Sequence, residues 1–225
     1  MPAIEPPPVP ARGTRQREAG AASRRETRRL LLLAAGELFA ERGYTATTVS
    51  AIAERADVSL QTLYLAWGSK RALLQAFLQQ LLDDAPDGPD GRSVRQLSAE
   101  LHAQLGPDCE PRAALQGLAH LYRLICERVA PGWRLYRDAA AVDPEIASDW
   151  SALQARRRTI FAELMGQLPV QALRPGLTSV GAGDTAWAIT SPDTYDLLVR
   201  HGSFTVDAYE QWVGTTLVAA LLAEG

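Results

Sequence analysis

The sequence predicts an all-α protein: a short N-terminal three-helix domain carrying a helix-turn-helix, then a longer helical body. Three observations predict it. Ala, Leu, Arg, Glu and Gln recur along the 225 residues, while runs of β-branched residues are almost absent. Apolar residues return at helical spacing in one segment after another. Several segments open behind a Ser or Thr, whose oxygen can accept from a free amide of the first turn.

Residues 1 to 22 are rich in Pro, Ala, Gly and Arg and are expected to be a disordered basic tail. The first helix is expected from about Arg24 to Arg42, with Leu31, Ala34 or Ala35, and Leu38 on one face and Gly43 at its end. Thr48 can cap a helix over Val49 to Ala56, whose narrow apolar face holds Val49, Ile52, Ala53 and Ala56. Asp57 and Val58 fill a turn. Ser59 can cap a helix over Leu60 to Ala66, with Leu63 inward and Leu60, Gln61, Thr62, Tyr64 and Leu65 outward. Gly68 breaks that helix, and Ser69 opens one running to about Asp84. Two helices joined by so short a turn form the motif whose second helix reads base edges in the DNA major groove.

DDAPDGPDG, residues 83 to 91, interrupts helicity and divides residues 23–82 from a body of residues 83–225. In the body, Val94, Leu97, Leu101 and Leu105 mark one helix. Leu115, Leu118, Tyr122, Ile125 and Val129 mark the next, expected to stop at Pro131 and Gly132. A short helix is expected over Trp133 to Ala141, and a long one from Pro144 to about Leu168. Residues 169 to 180 read as a loop. Two last helices are expected over roughly 183 to 200, with a break near Pro192, and 205 to 223.

Composition narrows the function. No apolar run approaches the roughly 20 residues that span a bilayer, and the start MPAIEPPPVPARG has no signal-peptide core, so a cytosolic protein with no membrane partner is expected. Cys109 and Cys126 lack metal-ligand spacing and read as free thiols, and no metal or cofactor is expected. No nucleophile elbow, phosphate loop or paired-carboxylate motif is present, and Asp143 with Glu145 beside Pro144 reads as a helix start, so an enzyme is not expected. The net charge of −3 alone argues against DNA binding. Its distribution argues for it: residues 11 to 29 hold seven arginines against two glutamates, a net +5, which leaves −8 for the rest. Lys70 is the only lysine.

The segment from about Arg24 to Leu82 resembles the N-terminal domain of the TetR family of bacterial transcriptional regulators. The resemblance rests on Ala34, Ala35, Leu38, Phe39, Gly43, Tyr44, Thr47, Thr48, Ile52, Ala53, Val58, Ser59, Thr62, Leu63, Tyr64, Trp67, Lys70 and Leu73, in order and without gaps. The stretch SPDTYDLLVRHGSFTVDAYEQWV resembles the closing helices of many members less specifically.

The resemblance implies roles. Thr48, Tyr64 and Lys70 would contact backbone phosphate. Leu60, Gln61, Thr62 and Leu65 would face base edges, with Gln61 suited to adenine and Thr62 or Leu65 to a thymine methyl. Trp67 reads as a core anchor. Ala66 stands where many members carry His or Tyr, and Ser50 where some place a base-reading Arg, so the operator cannot be borrowed from a relative. The body would bind an unidentified small-molecule effector, with His120, Tyr122, Trp133, Tyr136, Trp150 and Phe161 as candidates. Arg156, Arg157 and Arg158 read as a solvated face. Trp187, Leu197, Leu198, Leu217, Val218, Leu221 and Leu222 would form a homodimer interface. A two-fold dimer would space two reading helices about 34–36 Å apart on a palindromic operator. The function implied is a ligand-responsive repressor. The alternatives are a regulator controlled by a protein partner instead of a small molecule, and a helical interaction protein that no longer binds DNA.

Overall fold

The computed structural model of the chain describes residues 12–83, 94–106 and 108–223. The helices are α1 (Arg12–Ala46), α2 (Val49–Arg55), α3 (Leu60–Trp67), α4 (Lys70–Asp83), α5 (Val94–Gln104), α6 (Pro111–Ala140), α7 (Pro144–Gly166), α8 (Ser179–Ile189), α9 (Pro192–Tyr195) and α10 (Val206–Leu221). The expected tail is corrected in part. Residues 1–11 lie outside the described residues, but residues 12–22 are helical and extend α1. Past Pro10 this stretch holds mainly Arg, Gln, Glu and Ala, which favour a helix. Most of the expected interruption at 83–91 also lies outside the described residues.

The chain divides into two compact units, Met1–Ala76 and Phe77–Gly225. α4 supplies residues to both. In the first unit, Leu31, Ala35, Leu38 and Phe39 of α1 close over Ile52 of α2, Leu63 of α3, and Leu73 and Leu74 of α4, all buried. The helical course of α1 breaks at Gly43, whose φ of 74° and ψ of 175° suit a residue without a Cβ. The buried Thr47 hydroxyl serves the carbonyls left at this break, lying 2.8 Å from Gly43 O and 3.1 Å from Leu38 O.

The second unit packs α5 to α10 around one core, with Phe161, Tyr209, Val213, Leu217 and Leu221 fully buried. The expected stop at Pro131 does not occur: α6 runs through it to Ala140. A proline inside a helix costs about 3 kcal/mol. Val129, Ala130, Trp133 and Tyr136 are buried around it, and burying a large apolar side chain stabilises by roughly 1.5–3 kcal/mol. Gly132 fits the same site, because Leu78 and Leu81 of α4 occupy the space a Cβ would take. The break near Pro192 is present between α8 and α9, where Ser191 caps α9. Cys109 and Cys126 are free thiols. Burial pushes the Cys126 thiol up to about 12, so it stays protonated.

Candidate nucleic-acid interface and body cavity

The helix-turn-helix is set by local hydrogen bonds. Thr48 caps α2, its hydroxyl accepting from Ala51 N–H at 3.1 Å. In the turn, Asp57 adopts φ 53°, a left-handed conformation that Asp tolerates better than most side chains. Val58 N–H returns to Ala53 O at 3.0 Å. Ser59 caps α3, accepting from Thr62 N–H at 3.1 Å. Ser59→Ala is expected to destabilise the first unit by about 1 kcal/mol. Faster hydrogen exchange at the Thr62 amide would register it; unchanged exchange would mean that the cap contributes nothing.

With Leu63 fully buried, α3 turns one stripe outward: Leu60 (40% exposed), Gln61, Tyr64 (49%) and Leu65 (82%). Thr62 is half-buried, and its hydroxyl lies 2.8 Å from Ser59 Oγ, beside the cap. α3 carries no charged residue, so its exposed stripe offers one amide, one phenol and apolar contacts.

Trp67 ties the end of α3 to α1. Its Nε1–H donates to Arg28 O at 3.2 Å, the Arg28 guanidinium lies 3.9 Å over its ring, and Arg28 donates to Ala66 O. Lys70 has a role that the sequence did not signal. Its ammonium donates to Tyr44 O at 2.9 Å and Thr47 O at 2.8 Å, and sits 4.0 Å over the Tyr44 ring. It therefore clamps the last turn of α1 and the residue after it to the start of α4.

The second unit holds a cavity of about 340 Å³ between α4, α6 and α7. Tyr122 and Trp133 line it, with Leu78, Ile125, Val129, Leu153, Arg156 and Arg157. The other aromatic candidates stand beside these two. Phe161 packs on Tyr122 at 4.9 Å between ring centroids, Trp150 lies 4.5 Å from Trp133, and Tyr136 stacks on Trp150 at 5.9 Å. Burial pushes the Tyr122 hydroxyl up to about 12, so it stays neutral. His120 is not in this group: its Nδ1 lies 3.1 Å from Glu210 Oε1, and Arg123 Nε holds Oε2 at 2.5 Å.

Two expectations are corrected. Arg157 is not on a solvated face. It lines the cavity, its guanidinium stands 4.8 Å over the Trp133 ring, and burial lowers its pKa. Arg156 lines the cavity too but remains exposed, and only packing shows that Arg157 is the one buried there. Leu217 and Leu221 are fully buried in this chain's own core and present no surface to a second copy. Leu197 is exposed, and Trp187, Leu198, Val218 and Leu222 are half-buried. A groove of about 860 Å³ between α6 and α10 runs past Val218.

The family model described as bacterial regulatory proteins, tetR family, matches residues 31–77, which hold α2, α3 and their packing partners. The HTH-type transcriptional activator FasR of Mycolicibacterium smegmatis is 30% identical over 160 residues, covering 70% of this chain and 68% of FasR. NalD of Pseudomonas aeruginosa, the secondary repressor of the MexAB-OprM multidrug efflux pump, superposes with a TM-score of 0.66 at 20% identity, over 90% of this chain and 100% of NalD. A SmeT–triclosan complex gives a TM-score of 0.66 at 17% identity, over 89% and 93% of the two chains. The two structural likenesses establish the fold; the FasR match establishes the relationship. With a capped helix-turn-helix at residues 48–67 and a separate helical body, the chain belongs to the tetR family of bacterial regulatory proteins, which are DNA-binding transcriptional regulators.

Proposed function

We propose that this chain is a ligand-responsive repressor that binds a palindromic operator as a homodimer in the cytoplasm. The observation that carries the DNA reading is the exposed, uncharged stripe of α3, held out from the core by buried Leu63. Gln61 and Leu65 read bases, while Thr48, Tyr64 and Lys70 contact phosphate. Thr62 supports the reading helix through Ser59. The partner copy packs against the accessible residues of α8, the segment after it and α10, namely Trp187, Leu197, Leu198, Val218 and Leu222.

The ligand-responsive reading rests on the cavity, since a fully packed body would favour control by a protein partner. SmeT binding triclosan supports it from a similarly folded relative. Leu78 and Gln79 of α4 line the cavity, and Lys70 at the start of that helix clamps the segment before α2. A ligand that prefers one position of α4 then shifts the reading heads between two spacings. It lowers operator affinity by its differential affinity for the two states. Repression is the reading NalD supports. Activation is a second reading, because FasR is an activator.

Selection from random duplex DNA with the purified chain tests the core of this reading. A palindrome with half-sites one helical turn apart is expected. Gln61→Ala is expected to cost about 1–3 kcal/mol on that site and little on unrelated DNA. No enriched sequence, or equal loss on both DNAs, refutes base reading by α3. A reporter with the selected site over its promoter then separates repression from activation.

A further inference from the structure

The three successive arginines of α7 have three different fates. Arg158 is paired with Asp184, Nε to Oδ1 at 2.5 Å and Nη2 to Oδ2 at 2.6 Å. Arg156 is exposed. Arg157 enters the apolar cavity with little to hold it. Its Nη1 reaches Gln154 Oε1 at 3.3 Å, while its Nη2 is buried without any acceptor. The acidic groups that act on it are Tyr122, Cys126, Asp193 and Tyr209. Burial raises Tyr122, Cys126 and Tyr209 far enough to keep all three neutral. Asp193 is already engaged by Trp133 Nε1 at 2.9 Å, Arg137 Nη1 at 2.6 Å and Ser191 Oγ at 3.2 Å. A buried guanidinium donor without an acceptor is costly, and a fold that retains one at the wall of a cavity is poised for an anion.

We propose that the cavity binds a small amphiphilic carboxylate, its head accepting from Arg157 Nη2 and its apolar body lying on Leu78, Ile125, Val129, Leu153 and Trp133. This deepens the ligand-responsive reading and rests on it for its regulatory meaning. The volume, about 340 Å³, is near the lower end for ligand pockets, so the body is compact. Trp133 offers a flat face beneath the guanidinium, which fixes the plane in which the head is met. Arg156 also lines the cavity but is exposed to solvent, so a monoanion matches the one buried charge. A phosphate dianion would have to draw its second compensating charge from the solvent-screened Arg156.

Calorimetric titration of the full chain with octanoate, octanamide and octyl phosphate, without DNA, tests the proposal. Octanoate is expected to bind roughly tenfold to a hundredfold tighter than octanamide, the range of one charge-assisted hydrogen bond. Arg157→Gln is expected to remove that preference while leaving octanamide unchanged. Leu153→Trp, which fills the cavity and keeps the charge, is expected to abolish octanoate binding. Equal binding of octanoate and octanamide to wild type overturns the proposal, since water would then serve Nη2. Tighter octyl phosphate overturns the carboxylate class, and octanoate binding retained by Leu153→Trp places the site elsewhere. If Arg157→Gln does not fold, the wild-type preference and the Leu153→Trp result still decide. The operator is added last. Octanoate that binds through Arg157 but leaves operator affinity unchanged refutes ligand control and leaves the ligand class standing.

Discussion

Lys70→Met is expected to lower the stability of the first unit by about 2 kcal/mol and to weaken DNA binding as well. The stability loss follows from two charge-assisted hydrogen bonds, to Tyr44 O at 2.9 Å and Thr47 O at 2.8 Å, and from the cation over the Tyr44 ring. Methionine keeps most of the stem and supplies no donor, so the Thr47 carbonyl loses this contact. The segment beside it carries Thr48, the cap of α2, so the orientation of the whole motif is exposed to the change. The salt dependence of DNA binding separates the two roles. If the ammonium also meets a phosphate, the slope of log affinity against log salt falls by roughly 0.9 per half-site. An unchanged slope in folded Lys70→Met protein would mean that Lys70 acts only as a clamp. Unchanged thermal unfolding would mean that the two hydrogen bonds add nothing to stability.

Gly183→Val is expected to be the most damaging single change in the body, at about 3 kcal/mol or more. A Cβ at Gly183 would stand 2.6 Å from Ala162 Cα, 2.7 Å from Ala162 N and 3.0 Å from Phe161 C. These are backbone atoms of α7, which cannot swing aside as a side chain can. α7 and α8 must therefore separate, opening the core around the fully buried Phe161. For a unit of this size, 1 kcal/mol corresponds to roughly 2–4 °C in Tm, so a fall of about 6–12 °C is expected by calorimetry. Gly166→Ala is the control, because its nearest neighbour would be Ser179 Cβ at an ordinary 3.9 Å. A Gly183→Val protein that melts with the control would show that the two helices part freely.

The head was legible because its determinants are short-range. Thr48 and Ser59 act on amides three residues away, Gly43 and Gly68 end helices through their own φ, and Leu63 fixes the face of α3 by helical period alone. The observed spans of α2 and α3 accordingly fall within a residue of those expected. Thr62 is less exposed than its neighbours in the stripe, and its hydroxyl meets Ser59 Oγ at 2.8 Å, a local contact that helical period does not reveal. In the body, Tyr122 and Trp133 of the aromatic candidates line the cavity. His120 was drawn to Glu210, a partner 90 positions away that periodicity does not reveal.

The sequence by itself determined the all-helical class, the caps and turn of the reading motif, and the outward stripe of Leu60, Gln61, Tyr64 and Leu65. Each depends on bonds spanning a few residues or on helical period. Tertiary structure alone decided that Lys70 clamps carbonyls 23 and 26 positions away, that α6 continues through Pro131, that Leu217 and Leu221 face inward, and that Arg157 enters the cavity while Arg158 pairs outside it. The physical reason is common to all four. Which side of a helix is buried, and which donor meets which distant acceptor, is settled by the free energy of packing against other helices, which no local pattern encodes.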